Sequence, residues 1–321
     1  MTSVSRRAFG KLNLGLRVLS KRKDGYHEVS TVMVAVELSD VLYFSPRDEG
    51  LLVVCPSVPD LRQEDNLVVR AAQLLLSGAR EPGLAVTIEK NIPPGSGMGG
   101  GSSDAAATLL VVNEMLPLDE RRDMATLMRT AAAIGADVPF LLGCDSIPPI
   151  WEAALCTGIG ETVRPLPAAA LGGGLQSAEG AGREFAESLS DVWVVLTFPD
   201  FEVNTSRAYR DWDESSEGGA GEEAQAALLS ALTAGDKVAI AHNLFNDLEG
   251  PVSRRYPSIR AIKERLVQCG ALGACMTGSG SAVFGICGSE DEARRVRSKM
   301  EEFSRELRLK AVVVTRMGCG T

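Results

Sequence analysis

The sequence predicts an α+β protein built in two domains, and three observations carry that reading. Segments with the two-residue alternation of strands are interleaved with segments of helical apolar spacing. A chain of 321 residues is longer than one small core organises. Composition changes after Pro165, where the run AAALGGGLQSAEGAGRE (168–184) offers little to bury and reads as a loop or linker. The expected division is therefore 1–166, a linker over 167–190, and 191–321.

Residues 11–19 alternate as a strand, Lys23-Asp24-Gly25 supplies a turn, and residues 31–38, 41–44 and 51–55 read as further strands. Residues 66–77 (NLVVRAAQLLLS) carry helical spacing with Asp65 or Asn66 as cap. Residues 84–89 form a short strand, ended by Pro93-Pro94. A glycine-rich run follows, then a helix over 102–115 and a second over 118–134, with Gly135 as its stop. Beyond the linker come a strand over 192–198 and an acidic, flexible insertion over 213–223 (DESSEGGAGEE). Helices are expected at 224–233, 237–243, 258–269 and 290–306, and strands at 282–287 and 311–315. No internal repeat is visible.

Bulk properties narrow the function classes. A hydrophobic content of 45% with 23% charged residues is that of an ordinary globular chain. A formal charge of −9 argues against nucleic-acid or anionic-membrane partners, which reward basic surfaces. Seven scattered cysteines, with no Cys-x-x-Cys pair and only His27 and His242, give no metal-cluster pattern and suggest a reducing, cytoplasmic setting. No apolar run reaches the length of a bilayer span, and the stretch after Arg6 and Arg7 is not a signal core.

The chemistry-bearing segment is Pro93-Pro94-Gly95-Ser96-Gly97-Met98-Gly99-Gly100-Gly101-Ser102-Ser103, with five glycines in seven positions. Glycine lets successive N–H groups converge on an anion, and the following helix adds the positive end of its dipole. Ser102 and Ser103 suit both a helix cap and a hydroxyl donor to phosphate. A bare surface loop is the alternative, though it leaves unexplained why the run lies between a strand and a helix. The Walker pattern fails for want of Gly-Lys-Ser/Thr. The dinucleotide pattern is literally present at Gly95, Gly97 and Gly100, but no second parallel strand ending in an acid follows the helix.

Three sets of residues together resemble the GHMP kinases, the galacto-, homoserine, mevalonate and phosphomevalonate kinase family. The loop resembles their phosphate motif, and Met276-Thr277-Gly278-Ser279-Gly280-Ser281 resembles their C-terminal glycine motif. Gly10-Lys11-Leu12-Asn13-Leu14, Lys23-Asp24-Gly25-Tyr26-His27 and Gly135-Ala136-Asp137-Val138-Pro139 resemble the branch whose substrate carries cytidine diphosphate. The match spans residues 11–285, linkers excepted. It implies an N-terminal α/β nucleotide-binding domain and a C-terminal ferredoxin-like α/β sandwich. The implied reaction is ATP-dependent phosphorylation of the 2-hydroxyl of 4-diphosphocytidyl-2-C-methyl-D-erythritol, in the non-mevalonate route to isoprenoid precursors.

In that resemblance Asp137 is the catalytic base and Lys11 its partner. An aspartate can accept the hydroxyl proton late in a loose phosphoryl transfer, and a nearby lysine offsets charge. Taken alone, Asp137 reads as readily as a helix cap and Lys11 as a solvated edge-strand lysine. Tyr26 and His27 are expected at the cytidine, one stacking and one hydrogen bonding, with Tyr209 on the other face of the base. Asn13, Thr277 and Gly278 are further substrate candidates, and Asp65, Asn66 and Lys90 stand on the ATP side. Asp104 is either a dipole partner or a supporting ligand, and His242 reads as structural. Magnesium is expected with ATP, held by phosphates, water and a serine hydroxyl rather than a carboxylate cage. A monomer or homodimer is expected.

Two departures stand out: residues 143–152 (GCDSIPPIWE) are longer than the family pattern, and the 213–223 insertion bears on access to Tyr209. Competing readings are a mevalonate- or homoserine-type kinase, for which the aromatic set has no use, and a non-catalytic nucleotide-binding regulator, which has no use for Lys11 with Asp137.

Overall fold

The computed structural model describes residues 3–58, 63–77, 83–166, 189–215 and 219–319. Two long strands organise it, β1 (Val4–Lys21) and β2 (His27–Arg47), joined by the expected turn at Lys23-Asp24-Gly25. The 31–38 and 41–44 segments are thus one strand: the polar Ser39-Asp40 pair that reads as a break is buried within β2. Two compact units result, and they do not follow the expected contiguous division. One comprises Met1–Lys11, Leu38–Pro94 and Gly99–Trp151; the other comprises Leu12–Glu37, Gly95–Met98 and Glu152–Thr321. The cause is that β1 and β2 each contribute residues to both. All but the last two residues of the expected linker lie outside the described residues.

In the first unit the strand order is β3-β4-β2-β1. Strand β4 (Gly83–Glu89) runs antiparallel to β2, Val41 opposite Glu89 and Arg47 opposite Gly83, and β3 (Leu51–Val54) runs parallel to β4. Helices α1 (Leu67–Leu76), α3 (Met124–Ile134) and α4 (Val138–Cys144) pack around α2 (Gly100–Met115). Every residue of α2 from Ser103 to Val112 is buried, so this is a central helix, and its polar residues Ser103, Asp104 and Thr108 are buried with the rest.

Helix α3 begins at Met124, six residues later than expected. The carbonyl of Pro117 accepts the N–H groups of Glu120 and Arg121, closing a turn, and Asp123 caps the helix by accepting from the Thr126 N–H at 2.7 Å. Its end differs too: Gly135 is extended (φ −175°) rather than left-handed.

In the second unit β2 pairs antiparallel with β5 (Ala153–Gly158), which pairs with β6 (Thr162–Pro165), and β1 pairs in parallel with β8 (Phe245–Asn246) at Gly15 and Leu16. A separate antiparallel sheet has the order β11-β7-β10-β9, from Leu309–Arg316, Trp193–Pro199, Val283–Cys287 and Gly273–Met276. Helices α9 (Pro257–Cys269) and α10 (Glu290–Glu302) pack on it, giving the expected ferredoxin-like α/β sandwich. The remaining helices are α5 (Thr205–Asp213), α6 (Glu222–Ala234), α7 (Lys237–His242) and α8 (Glu249–Arg255). Of the acidic insertion, Asp213 closes α5 and Glu222 opens α6, so its ends are helical.

Candidate active site

Lys11 and Asp137, 126 positions apart, meet in the first unit: Nζ lies 3.5 Å from Oδ2. Both single-residue alternatives are overturned. Lys11 is 3% exposed on β1 and is no solvated edge lysine. Asp137 stands at the N-terminus of α4 but makes no side-chain cap bond; its carboxylate is turned to Lys11 instead.

The glycine run ends beside that pair. Gly99 (φ 72°) is the backbone cap of α2, and a Cβ there would stand 3.3 Å from Lys11 Cγ and 3.2 Å from Leu141 Cδ1. The helix therefore starts at Gly100 with no side-chain cap, which corrects the capping role expected of Ser102 and Ser103. Ser103 is buried and donates its hydroxyl to Asp145 Oδ2 (3.2 Å), whereas Ser102 is half-buried with its Oγ 3.9 Å from where a Cβ of Gly135 would be.

Lys90 directly follows β4 and bonds to Asp104 (2.8 Å) and, more tightly, to Asp40. Asp40 also accepts from the N–H groups of Asn91 (2.6 Å) and Ile92 (2.8 Å), so the trio fixes the chain entering the loop. Burial pushes the Asp104 carboxyl up to about 7, against the pull of Lys90. Burial also works against the Lys90 charge, but Asp104 and Asp40 outweigh it and raise its pKa. Asp104 is thus an ion-pair partner of Lys90, with Oδ1 left without a hydrogen bond. Asn66 is the side-chain cap of α1, accepting from the Val68 N–H at 2.9 Å, and Asp65 lies in the preceding exposed turn.

In the second unit the loop residues 95–98 lie against the second glycine turn. The Ala282 N–H donates to the Ser96 carbonyl (3.1 Å), and a Cβ on Gly97 (φ 80°) would stand 2.4 Å from the Thr277 carbonyl oxygen. Asn13 and Thr277 are fully buried and hold each other: the Asn13 N–H donates to Thr277 Oγ1 (3.1 Å), while Asn13 Nδ2 donates to Thr31 (2.8 Å). Gly278 (φ 57°) is buried, its carbonyl accepting from Asn246 at 2.8 Å.

The aromatic set is arranged differently from the expectation. Tyr209 stacks on the His27 ring (centroids 4.8 Å, planes 18° apart), with Trp212 edge-on to the same ring at 5.9 Å. Tyr26 is 62% exposed on the turn. His27 Nε2 is 2.7 Å from Asp213 Oδ1, and Lys21 bonds the other oxygen of that carboxylate. Burial works against the Asp213 charge, but Lys21 and His27 lower its pKa overall. Since the carboxylate accepts only, Nε2 carries the hydrogen. His242 is an exposed residue of the last turn of α7.

Asp40, Asp145 and Asp213 were missed as site neighbours. Asp40 interrupts an apolar strand and Asp145 an apolar helix end, and that isolated acid in an apolar run was the available signal. Among the described residues no group of three or more His, Cys, Asp or Glu gathers as a metal site, and no helix is long and apolar enough to cross a membrane.

Comparison with known proteins identifies the family. The GHMP kinases N terminal domain model matches residues 66–144, and the GHMP kinases C terminal model matches residues 228–306. A 4-diphosphocytidyl-2-C-methyl-D-erythritol kinase of Moorella thermoacetica is 39% identical over 92% of this chain and 94% of that protein. One of Syntrophomonas wolfei is 37% identical over 92% and 93%. A crystal structure of 4-(cytidine 5'-diphospho)-2C-methyl-D-erythritol kinase superposes with a TM-score of 0.75 at 33% identity, covering 99% of this chain and 100% of that one. Homoserine kinase from Cytophaga hutchinsonii shares the fold, with a TM-score of 0.71 at 18% identity over 99% and 96%. The chain belongs to the 4-diphosphocytidyl-2-C-methyl-D-erythritol kinases of the GHMP kinase family.

Proposed function

We propose that this chain transfers the γ-phosphoryl group of ATP to the 2-hydroxyl of 4-diphosphocytidyl-2-C-methyl-D-erythritol, with Asp137 as base and Lys11 as its partner. The observation that carries the proposal is the Lys11–Asp137 pair lying against Gly99, where the phosphate loop becomes α2. The hydroxyl oxygen bonds to the γ-phosphorus as the bond to the β–γ bridging oxygen breaks. ADP leaves, and the hydroxyl proton passes to the Asp137 carboxylate. Lys11 offsets the negative charge that gathers during transfer.

Gly101 supports the donor side. It is helical, exposed, and has open space where a Cβ would stand, so nothing among the described residues calls for glycine there. Glycine inside a helix is about 1 kcal/mol less favourable than alanine. A phosphate drawn to the N–H groups of the first turn accounts for it. The backbone of residues 93–103 is assigned to the ATP phosphates. Asn66, in the cap of α1, and Lys90, in its ion trio, are assigned to the adenosine side through the segments they fix. Magnesium would arrive on the phosphates, neutralising their charge, with Ser102 as its protein neighbour.

On the acceptor side Tyr26, His27 and Tyr209 are assigned to cytidine. The Asp213 contact leaves His27 Nδ1 as the ring's acceptor when the ring is neutral. Asn13, Thr277 and Gly278 are assigned to shaping the acceptor's path. The test is ADP release with Mg-ATP and, in turn, the diphosphocytidyl acceptor, mevalonate and homoserine. Release with the first alone is expected, and background release with it refutes the proposal.

A further inference from the structure

Asp145 is a fully buried carboxyl that the reaction itself does not use. Its oxygens reach two different elements: Oδ1 accepts from the Phe9 N–H on β1 (3.1 Å), and Oδ2 accepts from Ser103 Oγ on α2 (3.2 Å). Its main chain closes α4, donating to the Leu141 carbonyl at 2.8 Å, and its carbonyl accepts from Arg6, which also pairs with Glu114 of α2 at 2.8 Å. Asp137 and Asp145 therefore bracket α4, one at each end. Phe9 lies two residues before Lys11 on β1, and Ser103 lies four residues after Gly99.

Keeping a carboxyl here is expensive. Burial pushes its pKa well up, and the neighbouring Asp104 charge adds to that, while Phe9, Ser103 and Arg6 only partly compensate. An apolar side chain of the same volume is often neutral or better at such positions. What an apolar residue lacks is the geometry: a rigid group that hydrogen-bonds at both ends and joins three elements.

We propose that Asp145 is a positioning residue, holding the strand that bears Lys11, the first turn after the glycine loop and the helix behind Asp137 in one register. It rests on the kinase reading above. A misplacement of about 1 Å is enough to lower a rate about a hundredfold, so the effect belongs in kcat. The long 143–152 segment serves the same end: Trp151 Nε1 donates to the Phe140 carbonyl (2.8 Å) and the Ile150 N–H to the Gly143 carbonyl (2.9 Å), folding the segment back onto α4.

The test compares Asp145→Asn with Asp145→Leu in the full chain by steady-state ADP release and thermal unfolding. Asparagine keeps an oxygen for the Phe9 N–H and supplies a donor to Ser103 Oγ, and its kcat is expected within threefold of wild type. Leucine keeps the volume and loses both bonds. Its kcat is expected to fall ten- to a hundredfold, with both KM values within threefold and the unfolding temperature little changed. A folded Asp145→Leu with wild-type kcat, a change confined to KM, or an asparagine variant as impaired as leucine overturns the inference. Should leucine fail to fold, Ser103→Ala is read in its place, where a loss in kcat alone supports the inference and a wild-type kcat overturns it. A wild type without turnover refutes the kinase reading instead. Amide exchange then decides, since protection at the Phe9 N–H must be kept in Asp145→Asn and lost when Asp145 or its acceptor is removed; an unprotected wild-type amide overturns the inference.

Discussion

Lys11 and Asp137 show how little a single residue says by itself. Each has an ordinary alternative, a surface lysine and a helix cap, and each alternative is excluded by one fact: 3% exposure for Lys11 and a missing cap bond for Asp137. The proposed chemistry places proton acceptance on Asp137 alone, so Asp137→Asn is expected to lower kcat about 10²- to 10⁴-fold. ATP affinity should stay within a few-fold of wild type, because the carboxylate is not assigned to ATP. Rapid-quench turnover with a parallel ATP-binding titration measures both. The aromatic residues were less legible. Tyr26, His27 and Tyr209 were found from their resemblance, but their mutual geometry depends on Asp213, read as part of a flexible acidic insertion. An acid that ends a helix and pairs with a residue 186 positions away leaves no local trace.

Among the elements, the helices with clear apolar spacing and three of the four strands of the C-terminal sheet were legible, α9 and β10 to within a residue, whereas β9 (Gly273–Met276) was not. Of the features that were not, three have a plain physical cause. The split of β2 failed because Asp40 is satisfied inside the strand by Lys90 and two backbone N–H groups, a tertiary pairing that overrides the polar break. The start of α3 failed because Leu118 to Asp123 has helix-forming residues, while Pro117 and the Asp123 cap decide the boundary. Residues 138–144 are apolar throughout and show no period, so α4 was invisible. The loop itself makes a clear demand: Gly97→Ala would set a Cβ 2.4 Å from the Thr277 carbonyl oxygen at positive φ. The expected result is a loss of about 1–3 kcal/mol in stability by chemical denaturation, with ATP affinity weakened. Unchanged stability would mean the loop and the 276–281 turn do not meet as described.

At the scale of the whole molecule, buried carboxyls give stability a pH dependence whose sign is fixed. Asp104 has a folded pKa of about 7, raised by burial above the ordinary carboxylate value. Between about pH 4 and 7 the folded state therefore holds a proton that the unfolded chain has released. The stability this provides is complete below the unfolded pKa and is lost as pH rises through about 7. Asp145, raised for the same reason, acts in the same direction. Asp211 opposes them only in acid: its Arg255 and Arg207 bonds lower it to about 2, and that contribution is lost as pH falls towards that value. Urea unfolding is expected to show stability falling from pH 5 to pH 8, with a shallower slope in Asp104→Asn; an equal slope in that variant would remove Asp104 as the source.

The family assignment was accessible from motif, whereas the strand order and the interleaving of the units were not, because nothing local in β1 or β2 marks where a strand passes from one to the other. The central claim is the transfer itself. Phosphorus NMR of the chain with Mg-ATP and the diphosphocytidyl acceptor tests it most directly: the account predicts a new phosphomonoester on the 2-hydroxyl, formed in equal amount to ADP. ADP formed without that ester, or the ester on another hydroxyl, would contradict it.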